Sequence, residues 1–213
     1  LDSSKLLCNT LSITGDKLMA TAFPPKLRTN DLGVVGCGEF TKQQCEELIN
    51  LHNDSQNVKK SGRVNSEDKK VIDLKKRDVD VWVIHENSFF QKMPIDHMMC
   101  VLAMNANEQF DFNVTGLMER PQLLRYHEGS KGYDWHTDIG TGDASTRKIS
   151  VSILLNDNYQ GGDLAFFSEG EQMMKADAGV AVAFPSFLPH KVMPVTKGER
   201  WSLVAWFSGE PFR

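Results

Sequence analysis

The stretch Gln122–Asp138, "QLLRYHEGSKGYDWHTD", decides how the rest of the chain is read. Two short runs, "QLLRYHEG" and "YDWHTD", are apolar or alternating and are separated by Gly and Ser, the pattern of successive β-strands. The second run ends on His136, Thr137 and Asp138. Residues two apart on a strand share a face, so an imidazole and a carboxylate can point at one spot. A metal ion needs such a pair, and so does a surface hydrogen bond. H-x-D alone is a weak signal, and the surroundings must decide.

The same texture continues through the second half of the chain. "FDFNVTG", "KISVSILLND", "GGDLAFF", "GVAVAFP", "HKVMPV" and "RWSLVAWFSG" join the first two runs as eight short strands between turn residues. This predicts an all-β barrel or a double-sheet jelly roll. Gly161 and Gly162 read as a turn. The first half differs. In "FTKQQCEELINLHND", Thr41 and Gln44 have capping-box spacing, and Phe40 is placed to staple onto Cys45. Cys45, Leu48, Ile49 and His52 then recur at helical spacing, so a helix is predicted from about Lys42 to His52. "DVDVWVIH" reads as a strand. Pro94 opens a second helix with Ile95, Met98, Met99 and Leu102 on one face, the methionines serving as core filler.

Between the first helix and that strand lies a polar segment, Asn53–Asp80. Eight Lys/Arg between Lys59 and Arg77 face only Glu67, Asp68 and Asp73. A solvated loop is the plain expectation, and a mobile flap over a site is the sharper one. The whole is read as a single domain of 213 residues. It comprises an N-terminal arm to about residue 34, helical support over 35–110 with the basic loop at 53–80, and a β core over 110–213. The fold class is mainly β with supporting α, the helices packed outside the β core.

Composition excludes little but points one way. The chain is 40% apolar and 24% charged, with a net charge of −4. That balance offers no general attraction to nucleic acid or to a bilayer, and no apolar run approaches a membrane span of about 20 residues. No signal-peptide pattern is visible. Cys8, Cys37, Cys45 and Cys100 are scattered without a CxxC, which suits free thiols in a reducing compartment, so a cytoplasmic setting is expected.

A second histidine, His190, lies in "FPSFLPHKVMPV", 52 residues after Asp138. Two His and one carboxylate suit non-haem Fe(II), leaving coordination positions open; zinc is the competing ion. Ten residues on comes "GERWSL", where Arg200 and Ser202 share a face of a predicted strand. A guanidinium reads a carboxylate bidentately. Ten residues before His136 stands Tyr126, a phenol able to donate to the same acid. Singly, each has a plain alternative. Arg200 can be a surface ion-pair partner and Tyr126 a core tyrosine. Trp135, facing away from His136, is read evenly as core anchor or substrate platform. Phe187 and Trp201 are read as packing, and His52, His85, His97 and His127 as non-ligands.

Taken in order, "QLLRYHEGSKGYDWHTD", "RKISVSILLND", "GGDLAFF" and "FPSFLPHKVMPVTKGERWSLVAWF" resemble the Fe(II)/2-oxoglutarate-dependent dioxygenases of the prolyl 4-hydroxylase-like group, in particular the PKHD-type hydroxylases. The likeness runs from about residue 35 to the end. It implies a double-stranded β-helix, with His136, Asp138 and His190 as iron ligands. It implies Arg200 as the anchor of the far carboxylate of 2-oxoglutarate, helped by Tyr126 and Ser202. Trp206 matches a position near iron in the oxygen-sensing relatives, while Leu154 stands where those carry Tyr. Leu164 and Val192 match other wall positions. Many animal and algal prolyl 4-hydroxylases carry Lys at the position of Arg200, which draws the likeness toward the PKHD-type and oxygen-sensing groups.

The implied cofactors are Fe(II), 2-oxoglutarate and O2, with ascorbate (vitamin C) supportive. The implied activity is a procollagen-proline or peptidyl-proline 4-dioxygenase acting on a proline-containing peptide or protein. Hydroxylation of a free amino acid or small molecule is the alternative. A different class is a non-enzymatic jelly-roll binding module. Nucleic-acid demethylase relatives carry a second Arg six after the first, where this chain has Trp206, so no nucleic-acid or membrane partner is expected. The sequence is silent on oligomeric state.

Overall fold

In the computed structural model the described residues are 28–29, 33–61, 64–66, 69–71, 77–168 and 170–212. Strand β1 (Val34–Glu39), paired with the short strand Arg28–Thr29, leads into helix α1 (Lys42–Asn50). A capping box closes the helix start: Thr41 Oγ1 accepts from Gln44 N, and Gln44 Oε1 accepts from Thr41 N. The helix stops two residues before the expected His52 and tightens into a 3-10 turn over Leu51–Asn53, where the Asn57 side chain takes the Leu51 carbonyl.

The basic segment expected as a loop holds strands instead. Strand β2 (Val58–Ser61) pairs with β3 (Asp80–Val83), and Val64–Ser66 pairs with Lys69–Val71. Lysines on an edge strand block further pairing, which is why "VKKS" shows no apolar alternation. The flap reading falls partly on residues outside those described, as do most of the N-terminal arm and Cys8. Among the described residues, Cys37, Cys45 and Cys100 are free thiols. Helix α2 (Ile95–Phe110) follows, with Ile95, Met98, Met99 and Leu102 all buried.

"FDFNVTG" is not the strand expected of it. Asp111 caps α2 in the left-handed conformation, and only Gly116–Leu117 is extended. The Asn107 side chain satisfies both the N–H and the carbonyl of Phe112, so that backbone needs no sheet partner.

The other long strands are β4 (Gln122–Tyr126), β5 (Gly132–His136), β6 (Arg147–Leu154), β7 (Leu164–Phe167), β8 (Glu171–Met174), β9 (Val180–Pro185), β10 (His190–Val192) and β11 (Arg200–Ser208), beside short paired strands at Phe89–Phe90 with Met93–Pro94 and at Gln160–Gly161 with Val195–Lys197. They form two antiparallel sheets. The major sheet runs β1-β9-β6-β11-β4-β3-β2, with Arg28–Thr29 beyond β1. The minor sheet runs β8-β7-β10-β5 and ends on Arg77–Asp78. This is the mainly β jelly roll expected, with both helices outside it. Strand alternation splits the apolar side chains between two cores. Ile149, Val151, Ile153, Leu203, Ala205 and Phe207 face α2 with Met99 and Leu102. Leu124, Tyr126, Val182, Phe184, Phe166 and Val192 fill the space between the sheets. Among the described residues no helix is long and apolar enough to cross a membrane.

Candidate metal centre and carboxylate pocket

His136 closes β5 and His190 opens β10, and the two are direct cross-strand partners. Asp138 lies past the end of β5, so strand alternation is not what aims it. Asp138 N donates to the Ser186 carbonyl at 2.9 Å, and Ser186 N donates to the Lys148 carbonyl at 2.9 Å. Those bonds tie the H-x-D turn to the major sheet. The ligand atoms of His136, Asp138 and His190 all lie within 4.8 Å of one another. His136 Nε2 is 3.8 Å from Asp138 Oδ1, and His190 Nε2 is 3.5 Å from Asp138 Oδ2. Donor atoms about 2.1 Å from one ion sit roughly 3.0–3.4 Å apart, so the set is close to closing on a metal.

The ring nitrogens are already sorted. His136 Nδ1 lies 2.7 Å from the Asp134 carbonyl and His190 Nδ1 2.9 Å from the Leu188 carbonyl. A carbonyl only accepts, so each Nδ1 carries the proton and each Nε2 turns a lone pair inward. Burial pushes the His136 pKa down to about 3, with His190 adding to the effect against the pull of Asp138. Burial pushes Asp138 up, but His190, His136 and the Ser150 hydroxyl outweigh it and hold the carboxyl below its usual range. Ser150 Oγ donates to Asp138 Oδ2 at 2.6 Å and touches Ser186 Oγ at 3.0 Å. Tyr133 stacks on the His136 ring at 3.5 Å, and Phe184 meets His190 edge-on at 4.7 Å.

A pocket with an empty volume of about 500 Å³ joins this cluster to Arg200. Tyr126 is the cross-strand partner of Arg200, and Leu124 that of Ser202, which puts all four on the inner face of the major sheet. Arg200 is 4% exposed; its Nη1 donates to Ser202 Oγ at 3.1 Å, its Nε has no partner, and its guanidinium lies 5.6 Å from the Tyr126 ring centre. Among the described residues it makes no ion pair. Leu164, Val192 and Trp206 line the same pocket. Leu154 instead lines a second cavity that shares Ser152, Leu164 and Arg200 with the first and includes Tyr159. Trp135 faces outward, against Phe167 and Lys191. Trp201 is buried on the outer face, stacked on Trp82 at 5.5 Å.

Several pocket residues escape a reading of the sequence. Ser150, Tyr133 and Arg77 all line it. Arg77 comes from the basic segment and lies 5.0 Å from the Tyr133 ring centre. Arg147 donates to the Asp138 carbonyl at 3.0 Å, pairs with Glu119, and covers Trp206 at 4.2 Å. The only sequence signal for Ser150 is its place in the strand "KISVSILL", which a core serine would share.

Comparison with known proteins agrees with this geometry. Residues 121–208 match the 2OG-Fe(II) oxygenase superfamily. A PKHD-type hydroxylase of Thermosynechococcus vestitus is 38% identical over 111 residues, covering 49% of this chain and 50% of that protein. One from Alteromonas mediterranea is 39% identical over 95 residues, covering 40% and 42%. The matched stretch thus spans half or less of these relatives. Among solved structures, a Pseudomonas putida prolyl-4-hydroxylase superposes with a TM-score of 0.63 at 21% identity, covering 84% of this chain and 94% of that one. A Trichoplax adhaerens prolyl hydroxylase, solved with a hypoxia inducible factor oxygen degradation domain peptide fragment, gives 0.65 at 19%, covering 85% and 86%. In sequence the likeness is to PKHD-type hydroxylases, and in fold to prolyl hydroxylases.

Proposed function

We propose that this protein is an Fe(II)- and 2-oxoglutarate-dependent hydroxylase. Its substrate is a prolyl residue of a peptide or protein, O2 is the oxidant, and succinate and CO2 are the coproducts. One observation carries the reading: a buried guanidinium that has no acidic partner among the described residues shares a pocket with an open-faced His-Asp-His donor set. Leaving a buried charge uncompensated is costly, and a ligand carboxylate would offset that cost at Arg200. His136, Asp138 and His190 would hold the ferrous ion, which when bound with the 2-oxo acid supplies the oxidation of an unactivated C–H bond.

The chain's own groups position and exclude. Ser150 fixes one oxygen of Asp138. Arg200, with Ser202 and Tyr126, orients the far carboxylate. Leu124, Leu164, Phe184 and Val192 keep water from the reacting atoms. Tyr133 and Trp206 add aromatic walls to the same pocket. The prolyl hydroxylases among the structural neighbours, one solved with a peptide, support a peptidyl substrate. Ascorbate would serve to keep the iron ferrous, and a cytoplasmic setting suits the free thiols.

The test is mass spectrometry of proline-containing peptides and free amino acids incubated with enzyme, Fe(II), 2-oxoglutarate and ascorbate. The expected result is a one-oxygen gain on a peptide proline. A gain confined to free amino acids would replace the peptide substrate with a small molecule. No gain with either, and iron bound without consumption of 2-oxoglutarate, would favour a binding module.

A further inference from the structure

A cluster of phenyl rings stands open to solvent beside the metal end of the pocket. Phe187, which the sequence gives as packing, is 47% exposed, and Phe212 is 40% exposed. The two rings meet edge-on at 5.4 Å, and each meets Phe112 edge-on, at 6.4 and 5.7 Å. Lys148 Nζ lies 3.3 Å from the centre of the Phe212 ring. Separate parts of the chain supply the rings. Phe187 comes from the turn Pro185–Leu188, closed by Leu188 N on the Pro185 carbonyl. Phe112 follows α2, and Phe212 follows β11.

The cluster adjoins the donor set from two directions. Ser186, next to Phe187, accepts from the amides of Asp138 and Ile139 at 2.9 and 3.1 Å, so the Phe187 Cα lies within roughly 7 Å of the Asp138 amide. Arg147, next to Lys148, donates to the Asp138 carbonyl and covers Trp206, which lines the pocket. The rings thus continue the pocket wall outward past Asp138. The exposed parts of Phe187 and Phe212 amount to roughly 200 Å². A second copy of the chain would need about 800 Å² per partner, so the patch fits a single side chain. Phenyl faces also attract cations, but the Lys148 ammonium already fills that place and repels another. An extended chain covers at most about 3.6 Å per residue, so a peptide with one residue at the donor set reaches the rings within about three residues.

We infer that the Phe112, Phe187 and Phe212 rings form a subsite for the peptide substrate, taking an apolar side chain, aliphatic or aromatic, within about three residues of the hydroxylated one. The inference rests on the reading of the protein as a hydroxylase of peptides.

The test uses pairs of proline peptides that differ only in Leu or Ser at one position, placed in turn up to about three residues either side of the proline. Hydroxylation by the full chain with Fe(II) and 2-oxoglutarate is followed by mass spectrometry. At one position the Leu peptide should show a KM about tenfold lower than its Ser partner, with kcat within about twofold, the mark of binding that does not change during the reaction. Phe187→Ser and, from a different element, Phe212→Ser should bring that ratio close to one. Phe187→Leu should keep most of it. Mn(II) and 2-oxoglutarate affinities, by calorimetry, should stay at the wild-type level in all three variants. Equal KM within every pair, or a ratio that survives both serine variants, would overturn the subsite and leave the hydroxylase reading standing. Mn(II) affinity lost in step with the ratio would also overturn it, since the rings would then support the donor set instead. Self-association abolished by Phe187→Ser, without discrimination between peptides, would assign the rings to a second copy of the chain. Consumption of 2-oxoglutarate with no peptide hydroxylated would overturn the peptide substrate and this inference with it.

Discussion

Ser150 shows how one hydroxyl serves a metal centre it does not join. Its 2.6 Å bond to Asp138 Oδ2 settles which way the carboxylate faces, and groups that orient a ligand typically matter by 10–100-fold in metal affinity. Ser150→Ala is expected to weaken Mn(II) about tenfold or more in a direct titration, and Ser150→Thr to restore most of it; equal affinity in all three would remove Ser150 from the account. A different residue-scale effect is fixed by burial alone. The Cys37 thiol is pushed up to about 12, whereas an unfolded thiol ionises near 8.5. Its folded pKa is the higher one, so its contribution is fully present below about pH 8.5 and is lost as pH rises toward 12. The melting temperature should fall over that range, and less steeply in Cys37→Ala. Iodoacetamide at pH 9 should leave Cys37 unmodified in the native protein.

At the scale of elements, the pairing of β5 with β10 makes the site, because it sets His136 opposite His190. Gly132 starts β5 at a φ of +77°, and a Cβ there would sit 2.1 Å from the Val192 carbonyl oxygen. Gly132→Ala adds a left-handed residue, costing about 1–2 kcal/mol, to an overlap with backbone that cannot rotate away. A loss of at least about 2 kcal/mol by denaturant unfolding, with weakened Mn(II) binding, is the expected result; wild-type stability would mean the strand pair yields more easily than its geometry suggests.

The same elements mark what a sequence discloses. His136, His190, Arg200, Ser202 and Tyr126 were legible because each sits in a run whose alternation fixes its face. Ser150, Tyr133 and Arg77 were not, because their places depend on which strands become neighbours, and alternation along one strand does not encode that. β2 and β8 were missed for another reason: "VKKS" and "EQMM" are strands on the edge or exposed side of a sheet and lack a buried stripe. "FDFNVTG" had the look of a strand, but the Asn107 side chain captured its backbone first.

For the molecule as a whole, the major sheet separates two cores with different duties. One face packs on α2 through Met99 and Leu102, and the other lines the pocket. Met99 is fully buried on the helix side. Met99→Ala is expected to cost about 2–5 kcal/mol while leaving Mn(II) affinity within about twofold of wild type. A large loss of affinity would show that the helix-side core sets the site's geometry.

The most direct measurement is succinate formation by NMR with 2-oxoglutarate, Fe(II) and O2, comparing wild type with a folded Asp138→Ala variant. Fe(II)-dependent succinate from the wild type, and none above background from the variant, is the predicted result. Equal turnover in the two would contradict the assignment of His136, Asp138 and His190 as the metal centre.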